Sequence, residues 1–117
     1  MRPGEDVEVY LCREVVDMRK SINGLSILVE QALGLDPFAS QLFVFCNRKR
    51  DKIKILYWER SGFVLWYKRL EKERFPWPDA RADAVMSMTG RELNWLLDGI
   101  DLFQLKPHAS LFYASVL

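Results

Sequence analysis

The chain has 117 residues, half of them apolar, and includes seven Phe, four Trp and four Tyr, which suits one hydrophobic core and excludes a disordered polypeptide. The formal net charge is only +1, so the chain as a whole belongs to neither a strongly basic nor a strongly acidic class. Residues 47–74 nevertheless carry ten basic and four acidic side chains, whereas the remainder carries seven and twelve, and this asymmetry favours a polyanionic partner for the middle of the chain.

The beginning of the chain carries no recognisable targeting signal. It reads Met-Arg-Pro-Gly-Glu-Asp, without the apolar stretch of a signal peptide. No uncharged apolar run is long enough to span a bilayer. We therefore expect a cytoplasmic protein with no membrane partner. The two cysteines, Cys12 and Cys46, are expected to be buried, reduced thiols rather than a disulfide.

A strand followed by a helix is predicted for the first third of the chain. Residues 7–11 are rich in β-branched and aromatic side chains and predict a short strand. Residues from about 19 to 33 place apolar side chains at helical spacing, and Gly34 marks the end of that helix. Gly24 within this pattern leaves open a start later than residue 19. Asp17 stands just before it, where it is expected to cap the first turn.

Three consecutive strands are predicted next. Residues 41–46, 52–58 and 63–70 are apolar or β-rich, and short polar turns separate them. Strands joined in this way form an antiparallel meander. The strand period of two places Lys52 and Lys54 on one face, and it places Lys68 and Arg69 on opposite faces of their strand.

The last predicted elements are a rigid connection, a short strand and a capped helix. Residues 75–78 read Phe-Pro-Trp-Pro and cannot continue a central strand, because proline lacks the amide donor. A strand is expected over residues 84–88. Thr89 and Glu92 match a capping box, which starts a helix that ends near Gly99. Residues 102–117 are apolar without a clear period and form a tail that remains unassigned.

These elements predict an α+β fold. We expect residues 1–117 to form a single small domain, in which an antiparallel meander of three or more strands packs with two helices. The pattern leaves open whether the first and fourth strands join the meander, and it leaves the oligomeric state open.

Several short blocks of sequence, in this order, resemble one family of proteins. The first block, residues 15–20, reads Val-Val-Asp-Met-Arg-Lys. The later blocks are residues 36–38, 42–45, 51–58, 62–63, 67–71, 75–78 and 93–101. Together they resemble the products of the second open reading frame of insertion sequence 66 elements, which are unrelated to RNA-guided nucleases. The resemblance implies an accessory factor for transposition, encoded beside a separate transposase, with no established enzymatic activity.

Nucleic-acid binding is the first functional hypothesis. Clustered Lys and Arg side chains contact phosphates without reading sequence, and aromatic side chains on a sheet can stack on unpaired bases. Solvated turn residues and core aromatics are the competing interpretations. The candidate phosphate ligands are Arg48, Lys49, Arg50, Lys52, Lys54, Lys68 and Arg69, and the candidate stacking residues are Tyr57, Trp58, Trp66 and Tyr67.

Docking on the transposase or on another element-encoded protein is the second hypothesis. Its candidate contacts are Asp17, Met18, Arg19 and Lys20. Catalysis is a weaker alternative, because Asp17, Asp36, Asp51 and Asp101 each stand where a turn or cap explains them. The single histidine, His108, lies in the unassigned tail. No cofactor, metal site or catalytic residue is therefore expected, and DNA at the element ends is the expected partner.

Overall fold

Five strands form one mixed sheet in the computed structural model, which describes residues 3–79 and 83–104. The elements are β1 (Glu8–Cys12), α1 (Ile22–Gln31), β2 (Leu42–Cys46), β3 (Lys52–Glu59), β4 (Gly62–Arg69), β5 (Val85–Thr89) and α2 (Gly90–Leu97). The predicted α+β class is confirmed, as is the order of its elements. Residues 105–117, which include most of the unassigned tail, lie outside the described residues.

The strand order across the sheet is β4-β3-β2-β1-β5. Strands β2, β3 and β4 pair antiparallel in sequence, so the predicted meander is confirmed. Both strands whose pairing the sequence left open join the same sheet. Strand β1 pairs parallel with β2, and α1 makes the crossover that a parallel pair requires. Strand β5 pairs antiparallel with β1 and forms the second edge.

Apolar side chains cover both faces of the sheet. On the α1 side, the buried core consists of Cys12, Leu25, Val29, Phe43, Phe45 and Leu56. On the α2 side, it consists of Val9, Leu11, Leu42, Val44, Cys46, Ile53, Ile55, Phe75, Trp77, Met88, Leu93, Leu96 and Leu97. Each fully buried Leu, Ile, Val or Phe contributes about 1.5–3 kcal/mol of apolar transfer free energy, so the two cores together hold the helices on the sheet.

The connection after β4 anchors the α2-side core. Phe75 and Trp77 are buried, as expected for the Phe-Pro-Trp-Pro segment. The Trp77 indole N–H donates to the carbonyl oxygen of Arg13, 3.3 Å away. The connection therefore runs from the end of β4 to the end of β1, and among the described strands only β3 pairs with β4.

The two helices differ in how they begin. Helix α1 begins at Ile22 with Ser21 as its N-cap, which is later than residue 19 but within the predicted segment. Helix α2 begins with the predicted capping box, in which Thr89 accepts from the Glu92 amide and Glu92 accepts from the Thr89 amide. Gly34 and Gly99 follow the helices with positive φ angles of 67° and 87°. Neither helix in the described ranges is long and apolar enough to cross a membrane.

The cysteines are buried free thiols, as predicted. Cys12 belongs to the α1-side core and Cys46 to the α2-side core, so the sheet itself separates them. Burial raises the pKa of the Cys12 thiol to about 11 and that of Cys46 to about 12. Both thiols therefore remain protonated near neutral pH and act as small apolar side chains.

Candidate nucleic-acid interface

The turn between β2 and β3 is held together by Asn47. The Asn47 Oδ1 atom accepts hydrogen bonds from the backbone amides of Asp51 and Lys52, at 3.1 and 3.0 Å. Its Nδ2 atom donates to the Asp51 carboxylate at 2.7 Å. Because Asn47 satisfies the interior of the turn, the next three side chains are free to extend into solvent. Arg48, Lys49 and Arg50 are all exposed.

The loop before α1 forms a compact turn of its own. Arg19 Nε donates to both carboxylate oxygens of Asp17, and Nη2 donates to Oδ2 at 2.7 Å. The Arg19 backbone amide donates to Asp17 as well. These hydrogen bonds lower the pKa of Asp17 to about 2. The expectation that Asp17 caps α1 is wrong, because its carboxylate is used within this turn.

Lys54 joins this turn to the sheet. Its ammonium group donates to the backbone carbonyl oxygens of Met18 and Lys20, both at 2.8 Å. It also lies 5.7 Å from the centre of the Tyr67 ring, within reach of a cation–π interaction. Lys54 thus stabilises the fold by holding the 17–20 turn against the sheet. The Met18 side chain of that turn packs against the α1-side core.

Both predicted sites are brought to one end of the sheet. Strand β2 ends at Cys46, whose carbonyl oxygen accepts a 2.9 Å hydrogen bond from the amide of Val16. The loop leading to Asp17 therefore lies beside the 47–51 turn. We call this part of the molecule the basic end, defined by the cationic side chains of Arg19, Lys20, Arg48, Lys49, Arg50, Lys52 and Arg69.

The remaining predicted phosphate ligands, Lys52, Lys68 and Arg69, are less available for contact with a phosphate. Lys52 pairs with Asp51 at 3.4 Å, and Arg69 pairs with Glu71 at 3.0 Å. In the ladder, Lys52 lies opposite Arg69, which puts both side chains on the α1 side. Lys68 lies opposite Ile53 on the α2 side, so it is separated from the others, as the strand period predicted.

The aromatic candidates do not form one stacking surface. Tyr57 and Trp66 pack against the α2-side core. Tyr67 is on the opposite side of the sheet, 48% exposed, beneath Lys54. Trp58 lies near the far end of β3, away from the basic end, and packs edge-on against Phe63 with ring centres 5.0 Å apart.

The sequence interpretation missed three exposed residues. Phe38 is 57% exposed and packs on Trp58, with 5.0 Å between ring centres. No local signal in the sequence predicts its exposure. Lys72 and Arg74 were counted in the basic run without being assigned. The Phe75 amide donates to the Arg50 carbonyl oxygen at 2.7 Å, which brings the segment carrying them beside the basic turn.

The opposite end of the sheet is acidic. It carries Glu5, Asp6 and Glu8 before or at the start of β1, together with Glu59 and Glu92. Three of these carboxylates are engaged, since Glu5 accepts from Arg91, Glu8 accepts from Gln41 and Glu92 accepts from the Thr89 amide. The uneven charge along the sequence thus becomes a separation of charge between the two ends of the molecule.

These features describe a small α+β protein with a cationic end, in which Asp17, Asp36, Asp51 and Asp101 each accept a hydrogen bond within their own turns. The chain belongs to the family of IS66 Orf2 like proteins, whose model matches residues 7–107. It is therefore a transposition-associated accessory protein of an insertion sequence.

Two relatives come from Sinorhizobium fredii strain NBRC 101917 / NGR234. Uncharacterized protein y4jC is 33% identical over 104 residues, covering 89% of this chain and 88% of the relative. Uncharacterized protein y4hO is 35% identical over 98 residues, covering 84% of each chain. No solved structure is significantly similar to the chain.

Proposed function

We propose that this accessory protein binds DNA at the ends of its element through the basic end, and that it does so without catalysing a reaction. The observation that carries the proposal is the docking of the 17–20 turn beside the 47–51 turn. Two hydrogen bonds from Lys54 hold the first turn in place. Exposed cations from two distant parts of the sequence are thereby presented on one surface.

The cations differ in how available they are for phosphates. Arg48, Lys49 and Arg50 are exposed, and none of them has an ion pair within residues 3–79 and 83–104. Arg19 has a 92% exposed side chain but shares its charge with Asp17. We therefore assign the main phosphate contacts to Arg48, Lys49 and Arg50, with Lys20 beside them.

The arrangement supports contact with the phosphate backbone rather than stacking on bases. Single-strand binders combine a cationic groove with aromatic side chains at the same site. Here Tyr57 and Trp66 contribute to the core, and Trp58 lies away from the basic end. Duplex DNA, recognised through its phosphates, is the ligand that this surface fits best.

The absence of catalysis is part of the proposal. Asp17 and Asp51 accept hydrogen bonds from Arg19 and Asn47. Asp36 accepts from the Phe38 amide, and Asp101 accepts from two amides of its own turn. Turn formation therefore accounts for each carboxylate that the sequence offered for metal-dependent chemistry. His108 lies outside the described residues.

The test is binding of the purified protein to element-end duplexes, unrelated duplexes and single strands at two or more salt concentrations. The logarithm of the DNA-association constant falls linearly with the logarithm of the salt concentration. Each phosphate contact that is lost should make this slope shallower by about 0.9. A triple variant with Arg48, Lys49 and Arg50 changed to Gln should therefore reduce the magnitude of the slope by roughly 2–3. Binding should weaken to a similar degree on every duplex sequence.

A matched control removes the same kind of charge from the opposite end. Arg60 lies in the β3–β4 hairpin with a φ of 59°, just as Arg50 lies in the β2–β3 turn with a φ of 62°. Arg60→Gln should leave affinity unchanged, whereas Arg50→Gln alone should reduce it. Equal effects of the two substitutions would reject the basic end as the contact surface.

Docking on the transposase through Asp17, Met18, Arg19 and Lys20 is the alternative. Failure to bind any of these DNAs at low salt would favour it. The Asp17–Arg19 pair would then be a preformed contact element, and Arg19→Gln should weaken co-purification with the transposase while the Arg48, Lys49 and Arg50 variant should not.

A further inference from the structure

Strand β4 forms an edge of the sheet along its whole length. It is eight residues long and pairs only with β3 among the described strands. Natural proteins commonly protect an edge by keeping it short, by placing proline or charges on it, or by covering it. From Gly62 to Tyr67 this strand has no charge and no proline. Such an edge is suited to pairing with another strand.

The ladder identifies which backbone groups face outward. The Leu70 amide donates to the carbonyl oxygen of Asp51, directly opposite, at 2.7 Å. Hydrogen-bonded and non-hydrogen-bonded pairs alternate along an antiparallel ladder. Lys68, Trp66 and Val64 therefore bond to β3. The outward amide and carbonyl groups are those of Phe63, Leu65, Tyr67 and Arg69.

An aromatic cluster stands at one end of this edge. Phe63 packs with Trp58 and Phe38, and the three pairs of ring centres are 5.0–5.2 Å apart. Phe38 is 57% exposed, so the cluster offers an apolar contact beside the first outward backbone group. At the other end, Lys68 and Arg69 place cations on the two faces of the strand, where Arg69 also pairs with Glu71 at 3.0 Å.

We propose that the outer edge of β4 binds an extended segment of a partner protein by strand addition. The segment has apolar residues next to the Phe38, Trp58 and Phe63 cluster and acidic residues next to Lys68 and Arg69. Backbone hydrogen bonds supply the affinity in this mode, and alternate side chains supply the specificity. The proposal shares Arg69 with the basic end, but the Phe38, Trp58 and Phe63 cluster and the outward backbone groups of β4 up to Tyr67 lie outside it. Strand addition therefore does not require DNA binding.

Charge decides between a partner segment and a second copy of this chain. Two copies can pair antiparallel about a two-fold axis at Leu65 or at Trp66. The first places Gly62 opposite Lys68, and the second places Val64 opposite Lys68. Neither gives Lys68 or Arg69 an acidic residue directly opposite, whereas an acidic segment does. The edge is therefore complementary to a different chain.

The test uses synthetic peptides of ten residues that alternate valine and threonine and carry two glutamates at one terminus. Versions with the glutamates at either terminus allow parallel and antiparallel addition. Amide spectra of the isotope-labelled protein should shift at Phe63, Leu65, Tyr67 and Arg69. The same amides should gain protection from hydrogen exchange. Replacing both glutamates by lysine should weaken binding at least tenfold.

Backbone methylation tests the mode of binding without altering the protein. In an added strand, alternate peptide amides bond to β4 and the others point away. N-methylation of one alternate set should abolish binding, and methylation of the other set should have little effect. In the protein, Tyr67→Pro removes an outward donor at an edge position that tolerates proline, whereas Tyr67→Ala retains that donor and should still bind.

Four outcomes would overturn the proposal. Equal binding of the lysine and glutamate peptides would remove the charge argument, and equal tolerance of both methylated sets would remove strand addition. A dimer in sedimentation experiments that Tyr67→Pro disrupts and Tyr67→Ala preserves would assign the edge to a second copy. Lack of binding at millimolar peptide would reject the site itself.

Discussion

The ammonium group of Lys54 donates a 2.8 Å hydrogen bond to the carbonyl oxygen of Lys20, which precedes it by 34 residues. A second bond of the same length reaches Met18. These contacts connect the crossover loop between β1 and α1 to the centre of the meander. They also explain how the Lys54 side chain can be half-buried on a strand face. Two backbone carbonyl oxygens accept the hydrogen bonds that water would otherwise accept from its ammonium group.

Replacement of Lys54 tests this connection. Lys54→Met retains the aliphatic stem but removes both hydrogen bonds, so the free energy of unfolding should fall by about 1–2 kcal/mol. Hydrogen exchange of the amides of residues 17–20 should accelerate at the same time. Urea denaturation provides the first measurement and amide exchange the second.

Lys49→Met is the matched control for that substitution. Lys49 is exposed in the 47–51 turn and has no hydrogen bond within the described ranges. Its replacement should change the free energy of unfolding by less than about 0.5 kcal/mol while weakening DNA binding. A comparable loss of stability in both variants would show that the Lys54 hydrogen bonds contribute nothing specific.

The ionisation of Asp17 provides a pH-dependent prediction. Hydrogen bonds from Arg19 lower the pKa of the folded state to about 2, below the ordinary value of 3.8. The folded state therefore binds this proton less readily than the unfolded state does. The stabilisation from the pair should be complete above pH 3.8 and should be lost as the pH falls through about 2.

The carboxyl resonance of Asp17 measures that shift directly. Its NMR titration should have a midpoint near 2 in the native protein and should move upward in Arg19→Gln, because the side-chain hydrogen bond from Arg19 is its largest cause. Arg91→Gln removes an arginine from another exposed ion pair and should leave the midpoint unchanged. An unaltered midpoint in Arg19→Gln would contradict the bidentate contact.

The parts of the fold that depend on neighbouring residues could be predicted from the sequence. The meander was predictable because polar turns at residues 47–51 and 59–62 separate apolar runs. The start of α2 was predictable from the capping box at Thr89. The parallel pairing of β1 with β2 was not, because it depends on a crossover that no local pattern specifies. The same holds for the placement of β1 between β2 and β5.

The candidate site was predictable only as a list of residue types. The charge excess of residues 47–74 identifies the basic turn, but it does not distinguish Lys54, which binds two carbonyl oxygens, from Arg48, which faces solvent. The role of Asp17 could not be predicted either. The helical pattern that follows it indicated a helix cap, whereas its contact with Arg19, two residues later, determines the conformation of the turn.

The aromatic residues give a prediction that separates folding from binding. Trp66 packs on the α2-side core, so Trp66→Leu should lower the free energy of unfolding by roughly 1–2 kcal/mol. Affinity for duplex and single-stranded DNA should not change when both proteins are compared well below their melting temperatures. A selective loss of single-strand affinity would instead support base stacking at this residue.

Two helical glycines should respond in opposite directions to alanine. Gly90 begins α2, and a Cβ atom there would clash with the backbone carbonyl oxygen of Gly4. The backbone near β1 would have to move, so Gly90→Ala should destabilise the protein by about 1–3 kcal/mol.

Gly24 lies within α1, where a Cβ atom would meet only the Lys20 side chain at 3.4 Å. Gly24→Ala should therefore stabilise the protein by about 0.5–1 kcal/mol, the ordinary gain in a helix. Thermal and urea unfolding of both variants measure the difference, and a stabilising Gly90→Ala would show that the Gly4 carbonyl oxygen does not lie against the start of α2.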